Sequence, residues 1–436
     1  RPIVKAEAAE ALMVRTLGSG ANGIGYYMYH GGSTPKQNNG VGFFSDDGMG
    51  MPKISYDYQA PIGEFGLVRD SYQNLRILHT FLKDFGSILA PMETVLPEGY
   101  EKITPDNRET LRYASRMKED AGFIFMTNFQ DHDTARFDQT DLQLKLKLKK
   151  QTLIIPSSKT FTLKKDQSVI LPFNLSMEGA LLKYSTTQLL AKVEEKNAVH
   201  YFFFAPEGLR TEYSFDKSTL SSGKEFYTPK PGLKSTFSIT VKNGKTLKIT
   251  TLTRQQALNT TKVNNHILIT EATVLPEKEQ CTLLSLGKTQ ISYALYTANK
   301  GWKEETIEVQ PVDVKADWKK VGTRRMTVKI DQPDVPQVND YFLRVNYVAD
   351  VAMAFIGGYL VLDHYYYGIP WTIGLRRFKN ELKNEYLSFY FRPLRKDAPF
   401  IGDLPVEAIP DFSQKDADCL VRSVDVIPEY KAIVNI

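Results

Sequence analysis

The 436-residue chain is too long for one ordinary core and fits about two to four domains. Its apolar share of 42% and charged share of 24% are ordinary for a soluble globular protein. The formal charge of +5 is spread over mixed signs with no basic stripe interleaved with aromatics, which argues against a nucleic-acid partner, and no apolar run is long enough to span a membrane.

The 23 Tyr and 24 Phe suit stacking on sugar faces, but β-sandwich cores account better for most of them. Cys281 and Cys419 lie far apart, form no zinc site by themselves, and neither require nor exclude an oxidising compartment. The first residue is Arg rather than Met, so the lack of a visible leader says nothing about export.

Lys5 to Leu17, rich in Ala and Leu, predicts a helix stopped by Gly18 and Gly20. Gly23 to Tyr29 is a nearly continuous apolar and aromatic run between glycines, the pattern of a parallel-sheet strand buried on both faces. From His30 to about Val68 runs a long connection rich in Gly, Asn, Asp, Ser and Pro; connections of this length are usually functional or disordered. Leu75, Leu78, Leu82 and Phe85 mark the buried face of a second helix from Asp70, with Gly86 as its stop. Helix, strand, loop and helix over residues 1–90 read as a unit of an α/β fold, whose active sites lie in loops following strands.

From about Pro91 the pattern turns to short alternating runs between turn signals, the grammar of a β-sandwich. Asn243-Gly244 marks a tight hairpin turn. Lys145 to Lys150 alternates like a strand with a solvated face. Pro311, Pro333 and Pro336 border a charged stretch read as a boundary; beyond it Tyr341–Tyr347, Ala352–Leu362 and Tyr386–Phe391 read as strands of another sandwich.

Two motifs now carry a resemblance. Tyr27-Met-Tyr-His-Gly-Gly-Ser-Thr34 resembles the Tyr-Met-x-His-Gly-Gly-Thr-Asn segment of glycoside hydrolase family 35, and Ser55-Tyr-Asp-Tyr-Gln-Ala-Pro-Ile62, followed by Glu64 and Gly66, resembles its Ser-Tyr-Asp-Tyr-Asp-Ala-Pro signature. The helix with Leu75-Arg-Ile-Leu-His79 is similar to the family's last barrel helix. Weaker similarity continues in Phe173-Asn-Leu, in Leu182 to Thr186, and in Tyr347 to Asp350, Asp363 and Gly368 to Arg376, the last group matching a jelly-roll domain.

The resemblance implies a multidomain protein: residues 1–90 as the C-terminal end of a (β/α)₈ barrel, 91–310 as β-sandwich accessory domains, and 311–436 as a jelly-roll, galactose-binding-like domain. It implies a retaining, exo-acting β-galactosidase whose acid/base and nucleophile glutamates precede this chain. An upstream segment or chain would then complete the barrel. A periplasmic or secreted location follows from a glycan substrate.

Retaining hydrolysis needs two carboxylates roughly 5 Å apart and no cofactor. Glu7 and Glu10 share one helix face at i, i+3, read as solvated; Asp46-Asp47 suit a turn or cap. Neither pair is taken as catalytic. By resemblance Tyr27 and Tyr58 border the galactose subsite, where a phenol can hold a carboxylate, bond a sugar hydroxyl or stack on the ring. His30, Gly31 and Gly32 shape the pocket, and Asp57 ties the loop together. Ser33-Thr34 and Gln59 depart from the family's Thr-Asn and Asp, which bears on the sugar chosen.

Asp131-His-Asp133 with Asp138 and Asp141 lacks a metal-ligand pattern and reads as a polar turn. His364 to Tyr367 with Trp371 read as packing between domains. Two other readings stay open: a carbohydrate-binding or scaffolding β-protein without catalysis, and an exo-glycosidase for another sugar.

Overall fold

The computed structural model describes residues 2–35, 52–149 and 151–436. The Asp46-Asp47 pair and Lys150 lie outside the described residues. Among those described the chain is mostly β, with two long helices at its start.

Helix α1 (Ala6–Gly18) and helix α2 (Asp70–Leu89) pack on each other through Met13, Val14 and Leu17 against Leu75, Leu78, Phe81 and Phe85. The same cluster takes in Phe123, Phe125, Phe203 and Tyr213, so both helices rest on β-structure rather than standing alone. Helix α2 runs past Gly86 to Leu89. Leu89 is 2% exposed in this core, and its burial, worth about 2 kcal/mol, outweighs the ~1 kcal/mol that an interior glycine costs a helix.

Three expectations fail here. Residues 23–29 form no strand; just after them His30 makes an isolated parallel bridge to Ile62. A strand requires neighbours for its N–H and C=O groups, and no described strand runs beside 23–29. Glu10 is not on a solvated face: it is 2% exposed, with its Oε2 accepting from Arg254 at 2.6 Å and Asn74 at 3.2 Å. Spacing along a helix places a side chain on a face but does not say what covers that face. Ala352–Leu362 is two strands, Val351–Ile356 and Tyr359–Tyr365, because Gly357 and Gly358 both take positive φ (56° and 84°) and turn the chain back.

A seven-stranded antiparallel sheet runs, in spatial order, through Glu93–Val95, Arg112–Lys118, Ala121–Thr127, Ser168–Met177, Ala180–Ser185, Tyr213–Phe215 and Phe226–Tyr227. Strand Ser168–Met177 is buried on both sides: Ile170 and Leu175 enter the core beneath the helices, Val169, Leu171 and Phe173 the opposite one. A five-stranded sheet faces the first core with Leu189, Tyr201, Phe203, Ile239 and Leu247. Asn243-Gly244 makes a tight turn, with Gly244 at φ +86°. Leu144–Lys147 pairs with Thr152–Ile155, its leucines in the core and its lysines outside.

Two further five-stranded sheets enclose the core holding Leu343, Val345, Trp371, Leu387 and Phe389. One of them joins Thr273–Pro276 and Gln280–Leu286 to the last strand, Leu420–Asn435, so it draws on sequence from both sides of Pro311.

A buried polar knot sits in the second sheet. His200 is 2% exposed, with Nδ1 2.6 Å from the Tyr296 hydroxyl and Nε2 2.7 Å from Thr250 Oγ1. Tyr296 also donates to Glu195, which pairs with Lys248 at 2.6 Å. Burial depresses the His200 pKa to about 4, against the pull of Glu195. The unfolded chain therefore protonates first as pH falls, and stability is lost from about pH 6.5 down to about pH 4, by about 3 kcal/mol. Native-state hydrogen exchange of Ala198–Ala205 should show this loss, and His200→Gln should flatten it; an unchanged pH dependence in the variant would assign the loss to other groups.

Candidate active site

The long connection returns as a compact loop cluster. Gly32–Ser33 pairs antiparallel with Ser55–Tyr56, Gly31 N donates to Ile62 O at 2.7 Å, and Thr34 N to Ile54 O at 2.7 Å. At its centre is Asp57. Its Oδ1 accepts from Glu64 N at 2.7 Å; its Oδ2 accepts from Gln59 N at 3.3 Å and from Arg69 Nη2 at 2.5 Å. Arg69 also donates to Ala60 O at 2.6 Å.

Gly31 and Gly32 differ in kind. A Cβ on Gly31 would meet Asp57 Oδ1 at 2.8 Å and Glu64 N at 3.1 Å, so only glycine fits beside this carboxylate. A Cβ on Gly32 would meet no atom within 4 Å among the described residues. His30 is exposed at the end of the bridge to Ile62.

Tyr58 and Gln59 both take left-handed backbone (φ 43° and 57°), a cost of about 1–2 kcal/mol each for residues with a side chain. Gln59 is held in place by its own side chain, which accepts from Val4 N at 3.1 Å and donates to Pro2 O at 2.9 Å. The result is an outward Tyr58, 53% exposed, set edge-on to Tyr56 at 4.8 Å between ring centroids. The Tyr56 and Tyr27 hydroxyls are 3.0 Å apart, and Tyr27 is 90% exposed. Three phenols thus share one open surface. Behind them Tyr29 is half-buried against Tyr26, Tyr72 and His79, and burial raises its pKa to about 12.

The last two sheets hold this cluster from outside. Asp363 is 1% exposed and its carboxylate accepts from Lys53 N at 2.5 Å, Ile54 N at 3.1 Å and Ser55 N at 2.8 Å. Arg377 donates to Ser33 Oγ at 2.5 Å, lies 3.6 Å from the Glu64 carboxylate and stacks over Phe65 at 4.9 Å. Ser33 in turn donates to Glu64. Burial raises the Glu64 pKa; the serine bonds and Arg377 oppose it. A cavity of about 590 Å³ lies between Tyr58 and Gln59 on one side and His364, Tyr365 and Tyr367 on the other.

Tyr56, Glu64 and Arg377 were not singled out by sequence reasoning as working parts. Tyr56 had a signal, since it alternates with Tyr58 across Asp57; Arg377 had none, because its partners lie more than 300 residues away. The acidic residues around His132 are engaged elsewhere: Asp133 pairs with Arg108 at 2.8 Å and Asp138 with Lys164 at 2.8 Å. His364 stacks on Trp371 at 5.2 Å, and Tyr366 donates to Ala408 O at 2.8 Å.

The loop cluster and both helices coincide with one family. The profile of Glycosyl hydrolases family 35 matches residues 2–82, and that of β-galactosidase domain 2 matches residues 99–273. Two consecutive stretches of the chain are thus similar to β-galactosidases of glycosyl hydrolase family 35. It is 28% identical over 120 residues to "Beta-galactosidase 6" of Oryza sativa subsp. japonica, a stretch that is 27% of this chain and 13% of that relative. A GH31 α-xylosidase from Xanthomonas citri aligns over 78% of this chain and 37% of its own at 10% identity, but a TM-score of 0.12 makes it no guide to the fold.

In family 35 terms, the motif carrying Tyr27, His30, Gly31 and Gly32 and the motif carrying Asp57 and Tyr58 are neighbours in space, joined by the Gly32–Tyr56 pairing. Both departures from the family pattern turn into scaffold contacts: Ser33 bonds Glu64 and Arg377, and Gln59 bonds residues 2 and 4.

Proposed function

We propose that this chain is part of a retaining, exo-acting glycosidase that removes terminal β-linked galactose from glycans. The observation that carries the reading is Tyr58: a strained, left-handed backbone presents its phenol beside those of Tyr56 and Tyr27 on the loop cluster that the family profile covers. Strain of this kind persists only where the surroundings hold it, and it is enriched at binding sites.

The reading assigns the tyrosines to the sugar subsite. Tyr58 donates to the nucleophile carboxylate or a galactose hydroxyl, and Tyr27 closes the edge of the subsite. His30, Gly31, Gly32 and Asp57 shape the loop. The carboxylate pair comes from a preceding segment or chain that completes the barrel. Of the described carboxylates in the cluster, Asp57 is committed to Arg69 and backbone, and Glu64 to Ser33. One carboxylate attacks the anomeric carbon while the other protonates the leaving oxygen; water then releases the sugar with its configuration retained.

The same reading makes residues 1–90 the end of the barrel, 91–310 the sandwich accessory region and 311–436 the jelly roll, one of whose sheets is completed by strands from 273–286, in a secreted or periplasmic enzyme. Tyr58→Phe in the full-length protein should lower kcat/KM on an aryl β-galactoside about 10–100-fold, the value of one hydrogen bond to a charged group. Unchanged kinetics in an active, folded variant would remove Tyr58 from the subsite.

A further inference from the structure

Ala316–Gly322 and Arg325–Ile330 form the edge hairpin of the last five-stranded sheet. Residues 315–329 hold six Lys or Arg and one Asp, a local charge of +5 that equals the formal charge of the whole chain. Directly paired residues of antiparallel strands project from the same face. Lys319 pairs with Thr327 and Asp317 with Lys329, while Arg325 pairs with Tyr390 of the next strand, Leu387–Arg392. Alternate residues Met326, Val328 and Ile330 fill the core, so Lys319, Arg325 and Lys329 share the outward face with Asp317, Thr327, Ser388 and Tyr390.

The three cations are exposed, and among the described residues none of them, nor Lys320 or Arg324, is in an ion pair. Other exposed lysines do pair, as Lys5 does with Asp166 and Lys245 with Glu178. Tyr390 lies half-buried beside Arg325, and Tyr386 is 50% exposed at the start of the same strand. Three cations against the single acid Asp317, in rows about 7 Å apart and flanked by rings able to lie against a pyranose, fit an anionic sugar polymer better than a neutral one.

We propose that this sheet face is an accessory docking surface for acidic polysaccharide, of the uronate-bearing class, on the same face as Asp363 and so a few strands from where the tyrosine loop docks. The choice of a glycan among polyanions rests on the glycosidase reading above. The surface would hold the full-length protein on a charged polymer while the neighbouring tyrosine loop works on chain ends.

The test is binding of the full-length protein to polygalacturonate at moderate ionic strength, with neutral galactan and double-stranded DNA as parallel arms. Lys319→Glu, Arg325→Glu and Lys329→Glu together should weaken polygalacturonate binding about tenfold, the worth of three exposed charge contacts. An equal charge change at Lys145, Lys147 and Lys149, on another exposed hairpin, should leave it within about twofold. Binding that weakens alike in both variants, binding to DNA as tight as to the polyuronate, or no binding at all would each overturn the proposal. Turnover is not read in this assay, so a protein that docks but cleaves no galactoside would count against the glycosidase reading alone.

Discussion

Arg116→Met is expected to cost about 3–5 kcal/mol of stability, because it strands several buried carbonyl acceptors at about 1–3 kcal/mol each while relieving the cost of burying the charge. Arg116 is 1% exposed on strand Arg112–Lys118 and reaches the ends of both long helices. Its guanidinium donates to Leu17 O at 3.4 Å and Ala21 O at 3.1 Å after α1, to Asn22 Oδ1 at 2.8 Å, and to Ala90 O at 3.2 Å and Met92 O at 3.0 Å after α2. These carbonyls lie at or just past helix C-termini, where the backbone dipoles leave negative charge. One cation neutralises both ends and fixes the helix pair to the sheet. Methionine fills much of the volume but strands these acceptors away from water. Hydrogen exchange of the amides at 15–20 and 86–92 should speed up by at least a hundredfold, and Arg116→Lys should fall between the two. A loss below about 1 kcal/mol would show that solvent reaches these carbonyls once the arginine is gone.

Asp363→Ala is expected to release the tyrosine loop without unfolding the sheet that carries it. The carboxylate takes three successive backbone N–H groups of residues 53–55, and its charged bonds are worth about 1.5–3 kcal/mol each against an unpaired donor. Exchange protection at 53–56 should collapse while that of Leu387 and Phe389, in the same sheet as Asp363, stays. Activity of the full-length protein should fall by at least tenfold, because Tyr56 and Tyr58 follow directly on the released strand. Loss of protection in both places would mean that Asp363 serves the β-core instead.

What the sequence revealed follows the range of the interactions involved. Helix α2 was legible from Leu75, Leu78, Leu82 and Phe85, and the Asn243-Gly244 turn from two residues, because both are decided locally. The tyrosine motifs were legible through family resemblance, and the structure brings them side by side. The covering of Glu10 was not legible, since Arg254 arrives from 244 positions along the chain. The same holds for Asp363 and Arg377, whose hold on the loop spans more than 300 positions. Gly23–Tyr29 misled for a different reason: its composition suits a strand, but strand formation is a property of the neighbours as well as of the segment.

The central claim is that the tyrosine loop serves a retaining β-galactosidase. Proton NMR of the full-length protein acting on an aryl β-galactoside, read in the first minutes before mutarotation, tests it most directly. The account predicts release of galactose first seen as the β-anomer. Release as the α-anomer, or no hydrolysis by folded full-length protein, would contradict it.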